Sequence, residues 1–199
     1  MTRRTFAFTA VAASTAANSA ITVGLIGAGN RGTYIASAVA KHTPARVTAL
    51  CDVVPERMER ARAAIGVENP RLYTDFRQLL ASDVDAVLIA TPVYLHAGHL
   101  EAAVQSGKHI YIEKPAGASV ADCKRIMRAA DSAGRAQNIT FGFQRRYGQV
   151  YQKAHQLAAA GGIGPIRMGF ARFIKAEGLS RSGPPIEVPR TDPQNSANW

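Results

Sequence analysis

The stretch Gly27-Ala28-Gly29-Asn30-Arg31-Gly32 carries three glycines at the spacing that lets a backbone turn wrap a phosphate group. The first glycine permits a tight turn, the second lets the main chain approach a pyrophosphate, and the third lets a helix pack closely on the preceding strand. A helix opening here, with Asn30 and Arg31 beside the turn, presents amide hydrogens and a partial positive charge to the phosphates. Asp52 stands twenty residues beyond Gly32, where a carboxylate accepts hydrogen bonds from the adenosine ribose hydroxyls. A glycine triplet alone also serves as a structural turn. The acid at this distance makes the set a dinucleotide site. Asp52 further favours NAD over NADP, because a 2′-phosphate would meet its negative charge, although Arg57 and Arg60 nearby soften that preference.

These residues need elements to hold them. Ile21–Gly27 is a short apolar run that reads as a buried strand, and the glycine turn leads into a helix from Thr33 to about Lys41. A second strand, Val47–Cys51, closes on Asp52, and Pro55 opens a charged helix. Thr74-Asp75 has the chemistry to cap a helix over Phe76–Leu80, and Asp85–Ala90 reads as another buried strand. That strand ends in Thr91-Pro92, a loop at the carboxyl edge of the sheet, where ligands bind in open α/β folds. A helix carrying His96 runs to Gly107, and the strand His109–Glu113 leads into Lys114-Pro115. A helix from about Val120 to Ala133 and a strand over Ile139–Phe143 complete the alternation. Strand and helix alternating in this way predict an α/β fold with a doubly wound parallel sheet.

Composition narrows the classes. The chain has 199 residues, 47% of them hydrophobic, which is enough apolar material for a buried core. No run of 18 apolar residues occurs, so no membrane-spanning helix is expected. Cys51 and Cys123 are too few for a disulfide framework and read as small apolar residues. The net charge of +10 is spread over helix surfaces without an aromatic-interleaved basic block, so it reads as a solvated face and not as a nucleic-acid surface. Residues 1–20 stand apart. Thr2-Arg3-Arg4-Thr5-Phe6 followed by an Ala-rich stretch resembles a twin-arginine export signal, which predicts a periplasmic location. A cytoplasmic tail and an Arg- and Ser-rich transit peptide are the alternatives.

Thr91-Pro92 with His96 four residues on, Gly107-Lys108-His109 entering a strand, and Glu113-Lys114-Pro115 follow the glycine turn in order. In these signals the chain resembles the glucose–fructose oxidoreductase and inositol dehydrogenase family (Gfo/Idh/MocA). The resemblance spans about Ile21 to Phe173, with Gly142-Phe-Gln-Arg-Arg-Tyr147 resembling the entry into that family's second domain. Val93 departs from it, since many members carry Asn after Thr-Pro. The resemblance implies a nucleotide-binding domain over residues 21–143 and the opening of a substrate and dimerisation domain over 144–199. Within the second, a helix over Val150–Ala160 and a strand over Ile166–Ile174 are expected.

The resemblance also implies roles. Lys114 would lie beside the nicotinamide and the reacting hydroxyl, where its amine stabilises negative charge as proton and hydride leave. Burial and nearby cations are the general means of readying a lysine for proton transfer. A surface ion pair with Glu113 is the plainer role. Thr91 and Pro92 would line the cofactor crevice, Pro115 would stiffen its loop, often through a cis bond, and Glu113 would face the crevice or anchor the strand end. His96 is either a site residue or a capping or core histidine. One strand cannot build the family's second sheet, nor is there a segment matching its general-base histidine, so the chain reads as part of a longer, homo-oligomeric oxidoreductase. Three functions follow: an NAD-dependent oxidoreductase on a sugar or cyclitol hydroxyl, an NAD-dependent glycosidase of the α-N-acetylgalactosaminidase type, or a non-catalytic dinucleotide-binding module.

Overall fold

A computed structural model describes residues 20–170 and 172. The export motif and the tail after residue 172 lie outside the described residues. The chain divides into two compact units, between Phe141 and Gly142.

The first unit is one six-stranded sheet. Its strands are β1 (Thr22–Ile26), β2 (Arg46–Cys51), β3 (Arg71–Tyr73), β4 (Ala86–Ile89), β5 (His109–Ile112) and β6 (Ile139–Phe141). Every neighbouring pair is parallel, in the order β3-β2-β1-β4-β5-β6. This is the doubly wound order in which the chain reverses direction between β1 and β4, opening a crevice at their carboxyl ends. The helices α1 (Asn30–His42) and α2 (Pro55–Ile65) cover one face. There Val23, Leu25, Val47 and Leu50 meet Ile35, Ala36, Met58 and Ile65. On the other face, α3 (Phe76–Leu80), α4 (His96–Gln105) and α5 (Val120–Asp131) enclose Ile26, Val87, Ile89, Leu100, Ile112 and Ile126. Strands covered on both sides read as near-continuous apolar runs, which is why the sequence marks them so clearly.

Local chemistry sets the helix ends. Pro55 fills the first turn of α2, and Gly66 ends it in a left-handed conformation. Asp75 caps α3 by accepting from the amide of Arg77, and Ser119 caps α5 by accepting from that of Asp122.

Most element ends shift by a residue or two from the sequence reading, and three differences go further. The helix after the glycine turn begins at Asn30 instead of Thr33, so Asn30, Arg31 and Gly32 form its first turn. Strand β3 is only three residues long and has no apolar run of its own; it exists because β2 offers it a ladder edge. The strand expected over Ile166–Ile174 does not form across residues 166–170, and residues 173–174 lie outside the described part. Alternation alone makes no strand without a neighbour to bond. Among its described residues the second unit otherwise holds a short 3₁₀ turn, Gln144–Tyr147, and α6 (Gln149–Ala159), which buries none of its residues.

Candidate functional site

The glycine turn sits where β1 meets α1. Gly27 has φ +95°, a conformation that favours glycine, and a side chain there would strike the backbone of Ala90 at 2.8 Å. Gly32 lies against the turn so closely that a Cβ would sit 1.9 Å from the Gly27 carbonyl oxygen. Gly29 is different. Its backbone (φ −72°, ψ −178°) suits any residue, and a Cβ there would meet nothing within 4 Å. Packing therefore explains Gly27 and Gly32 but not Gly29. An open space over the helix start is what a phosphate needs, so the turn fits a dinucleotide pyrophosphate.

Asp52 ends β2 and is buried. Its Oδ2 accepts from the Ala28 amide (2.9 Å) and its Oδ1 from the Val54 amide (3.0 Å), with the Arg57 guanidinium 3.7 Å from Oδ1. The carboxylate thus ties the glycine turn to the end of β2. A carboxylate has about four lone-pair sites, so capacity remains for a ribose hydroxyl.

On the other side of the crevice, Thr91-Pro92 follows β4 and Glu113-Lys114-Pro115 follows β5. Glu113 is buried and accepts four hydrogen bonds. Arg31 Nε and Nη2 reach its Oε1 at 2.9 and 2.6 Å, the Tyr111 hydroxyl reaches the same oxygen at 2.9 Å, and the Lys114 amide reaches Oε2 at 3.1 Å. Burial together with the Glu113 bond pushes the Tyr111 hydroxyl up to about 12, so it stays a donor. The ion-pair partner of Glu113 is Arg31, whose own charge this bond reinforces. The plainer reading of Lys114, a surface pair with Glu113, gives way to this arrangement. Arg31, read from the sequence as a cofactor contact, turns its guanidinium along the sheet edge toward Glu113. Lys114 is exposed, so the burial expected of it is not found, and the bond to Pro115 is cis.

His96 opens α4 and is 1% exposed. Its Nδ1 lies 2.8 Å from the Pro115 carbonyl oxygen and its Nε2 3.0 Å from that of Thr91. It is a core residue that joins two site loops, a combination the sequence reading held as alternatives. His99, one turn further along α4, was missed. Its Nδ1 lies 3.0 Å from the Thr91 hydroxyl, and its ring packs 4.2 Å from that of Phe76. Burial, with smaller contributions from His96 and Arg77, pushes it down to about 4. The spacing of two histidines three apart on one helix was the available signal. Tyr111, two residues before Glu113 and on the same strand face, was missed for the same reason.

The sequence pattern of the oxidoreductase family with an NAD-binding Rossmann fold, Gfo/Idh/MocA, matches residues 21–141. The chain belongs to this family. It is 34% identical over 145 residues to inositol 2-dehydrogenase 3 of Saccharopolyspora erythraea, covering 72% of this chain and 42% of that protein. The crystal structure of myo-inositol dehydrogenase from Lactobacillus casei, in complex with NAD(H) and myo-inositol, superposes with a TM-score of 0.68 at 28% identity. That match covers 73% of this chain and 43% of the dehydrogenase. A glycosyl hydrolase family 109 protein of Shewanella amazonensis is 32% identical over 134 residues, covering 61% of this chain and 30% of that protein. The chain spans less than half the length of these relatives. As a family member it is an NAD-binding Rossmann domain, and NAD is the dinucleotide that its glycine turn and Asp52 fit.

Proposed function

We propose that this chain is the nucleotide half of an NAD-dependent oxidoreductase that oxidises a secondary hydroxyl of a cyclitol or sugar. The observation that carries the proposal is Lys114. It stands exposed at the carboxyl end of β5, and its backbone is tied through Glu113 to Arg31 in the first turn of α1. A residue so anchored meets whatever occupies the crevice between β1 and β4.

Bound NAD supplies the hydride acceptor. The amides of the glycine turn and the opening of α1 hold the pyrophosphate, and Asp52 accepts from the adenosine ribose. Thr91 and Pro92 bound the crevice on the β4 side. Lys114 donates a hydrogen bond to the substrate oxygen and stabilises its charge as the hydroxyl proton departs. A positioned base takes that proton, and we assign it to the substrate domain of the full-length protein. The inositol dehydrogenases among the relatives make a cyclitol the first substrate class to test. The twin-arginine reading makes the periplasm the proposed compartment; replacing Arg3 and Arg4 by Lys should then stop export of a folded reporter.

The test is calorimetry with NAD on the 199-residue chain, together with NADH formation against inositols and hexoses. Binding without appreciable turnover is expected. Loss of a positioned base alone removes ~10²–10⁴-fold in rate, and loss of substrate orientation removes more. Robust, Lys114-dependent turnover would refute the assignment of the base. The likeness to the glycosyl hydrolase keeps a second reading, in which a sugar is oxidised only transiently. Aglycone release by the full-length protein without net NADH would favour it.

A further inference from the structure

We propose that His96 is a positioning residue for Lys114. Its imidazole pins the loop after β5 to the loop after β4 and so fixes where the Lys114 main chain meets the crevice. The inference rests on the reading of Lys114 given above.

His96 has no surface to offer a ligand, being 1% exposed, yet both of its ring nitrogens face carbonyl oxygens of site loops. Nδ1 faces Pro115, next to Lys114, at 2.8 Å, and Nε2 faces Thr91 at 3.0 Å. A neutral imidazole has one N–H and donates to one of these at a time; in either tautomer the ring stays wedged between both loops. A buried side chain enclosed between two loop carbonyls, with no face open to the crevice, is an anchor and not a reactant.

The surroundings support the same role. Thr91 is gripped twice from α4, at its carbonyl by His96 and at its hydroxyl by His99. Burial holds the His99 ring neutral, so it bonds the Thr91 hydroxyl without placing a charge beside the loop. Lys114 is likewise held from two sides. Its amide donates to Glu113 Oε2 at 3.1 Å, and the carbonyl of the next residue is fixed by His96. The side chain itself is exposed, so its placement depends on these main-chain anchors. Glu113 couples one anchor to α1 through Arg31, and His96 couples the other to β4. Catalytic groups need placement within a fraction of an ångström, which a loop achieves only when residues behind it are locked.

The test follows Lys114 by NMR on the 199-residue chain carrying ¹³C-methylated lysines, with its signal assigned from Lys114→Arg. NAD and ADP-ribose, which lacks the nicotinamide, are added separately. In the unaltered chain NAD should move the Lys114 signal further than ADP-ribose does. His96→Leu should still bind ADP-ribose, because the glycine turn and Asp52 are untouched, but should lose the extra displacement that NAD gives. His96→Gln, whose amide nitrogen carries two donors, should restore it. A folded His96→Leu chain with the full displacement would overturn the proposal. His96→Phe, which keeps a ring in place, serves if His96→Leu does not fold. A slowly exchanging His96 ring N–H should also be visible in the unaltered chain, and its absence would overturn the proposal without any variant. Equal displacement by NAD and ADP-ribose in the unaltered chain would instead refute the nicotinamide-side reading of Lys114. The pinning of the loop is then judged on the ligand-free Lys114 signal, which should shift in His96→Leu and return in His96→Gln.

Discussion

Gly29 and Gly32 lie three residues apart in one turn, and the structure assigns their substitutions opposite consequences. At Gly29 the backbone is extended (φ −72°, ψ −178°), and a Cβ meets nothing within 4 Å. Gly29→Val should therefore leave stability unchanged or raise it by ~0.4–1 kcal/mol, by narrowing the unfolded ensemble. The valine would fill the space that a pyrophosphate occupies. Charge-assisted hydrogen bonds are worth ~1.5–3 kcal/mol each, so losing one or two weakens NAD binding by ~10- to ~10,000-fold. At Gly32 a Cβ falls 1.9 Å from the Gly27 carbonyl oxygen, a backbone atom that no rotamer change can move. Gly32→Ala should cost ~3 kcal/mol or more, as overpacking against fixed backbone does. Denaturant unfolding and NAD calorimetry on both variants read the two effects separately. The reasoning is refuted if Gly29→Val binds NAD as the unaltered chain does, or if it loses as much stability as Gly32→Ala.

His99 falls from its ordinary 6.5 to about 4, so the unfolded chain takes up a proton that the folded chain refuses between those values. The contribution of the neutral ring is complete above pH 6.5 and is lost as pH falls toward 4, by ~3 kcal/mol at most. His99→Gln should flatten that part of the stability profile measured by urea unfolding from pH 7 to 4.5; an unchanged acid slope would contradict the shift. Thr48 buries its Oγ1 without a hydrogen-bond partner, so Thr48→Val should stabilise the fold by ~1 kcal/mol in the same assay, and destabilisation would reveal a missed partner. Asp52→Ala strips the Ala28 and Val54 amides of their acceptor, which should cost ~2 kcal/mol or more as well as NAD affinity. Loss of affinity with full stability would mean that the carboxylate serves the ribose alone.

The sequence alone determined the features whose causes are local. A glycine triplet between an apolar run and a helix specifies its turn because the steric demands act within a few residues, and the acid twenty residues on marks the end of the next strand. Buried parallel strands are legible as apolar runs, and the cap at Asp75 as a polar residue before a helix. Strand β3 was not legible, because three residues carry no period; the free edge of β2 decides it. The alternation in residues 166–170 misled for the opposite reason, as a pattern without a partner among the described residues. The site residues divide in the same way. Gly29 and Asp52 could be assigned from spacing, whereas the pairing of Glu113 with Arg31 joins residues 82 apart. His96 reaches Pro115, 19 residues away, only because β4 and β5 lie side by side. Which charged or polar groups satisfy one another inside a sheet edge depends on strand order, and strand order is fixed by how the apolar faces pack. Only the tertiary structure could therefore decide that Glu113 and His96 serve as anchors and that Lys114 is left exposed at the crevice.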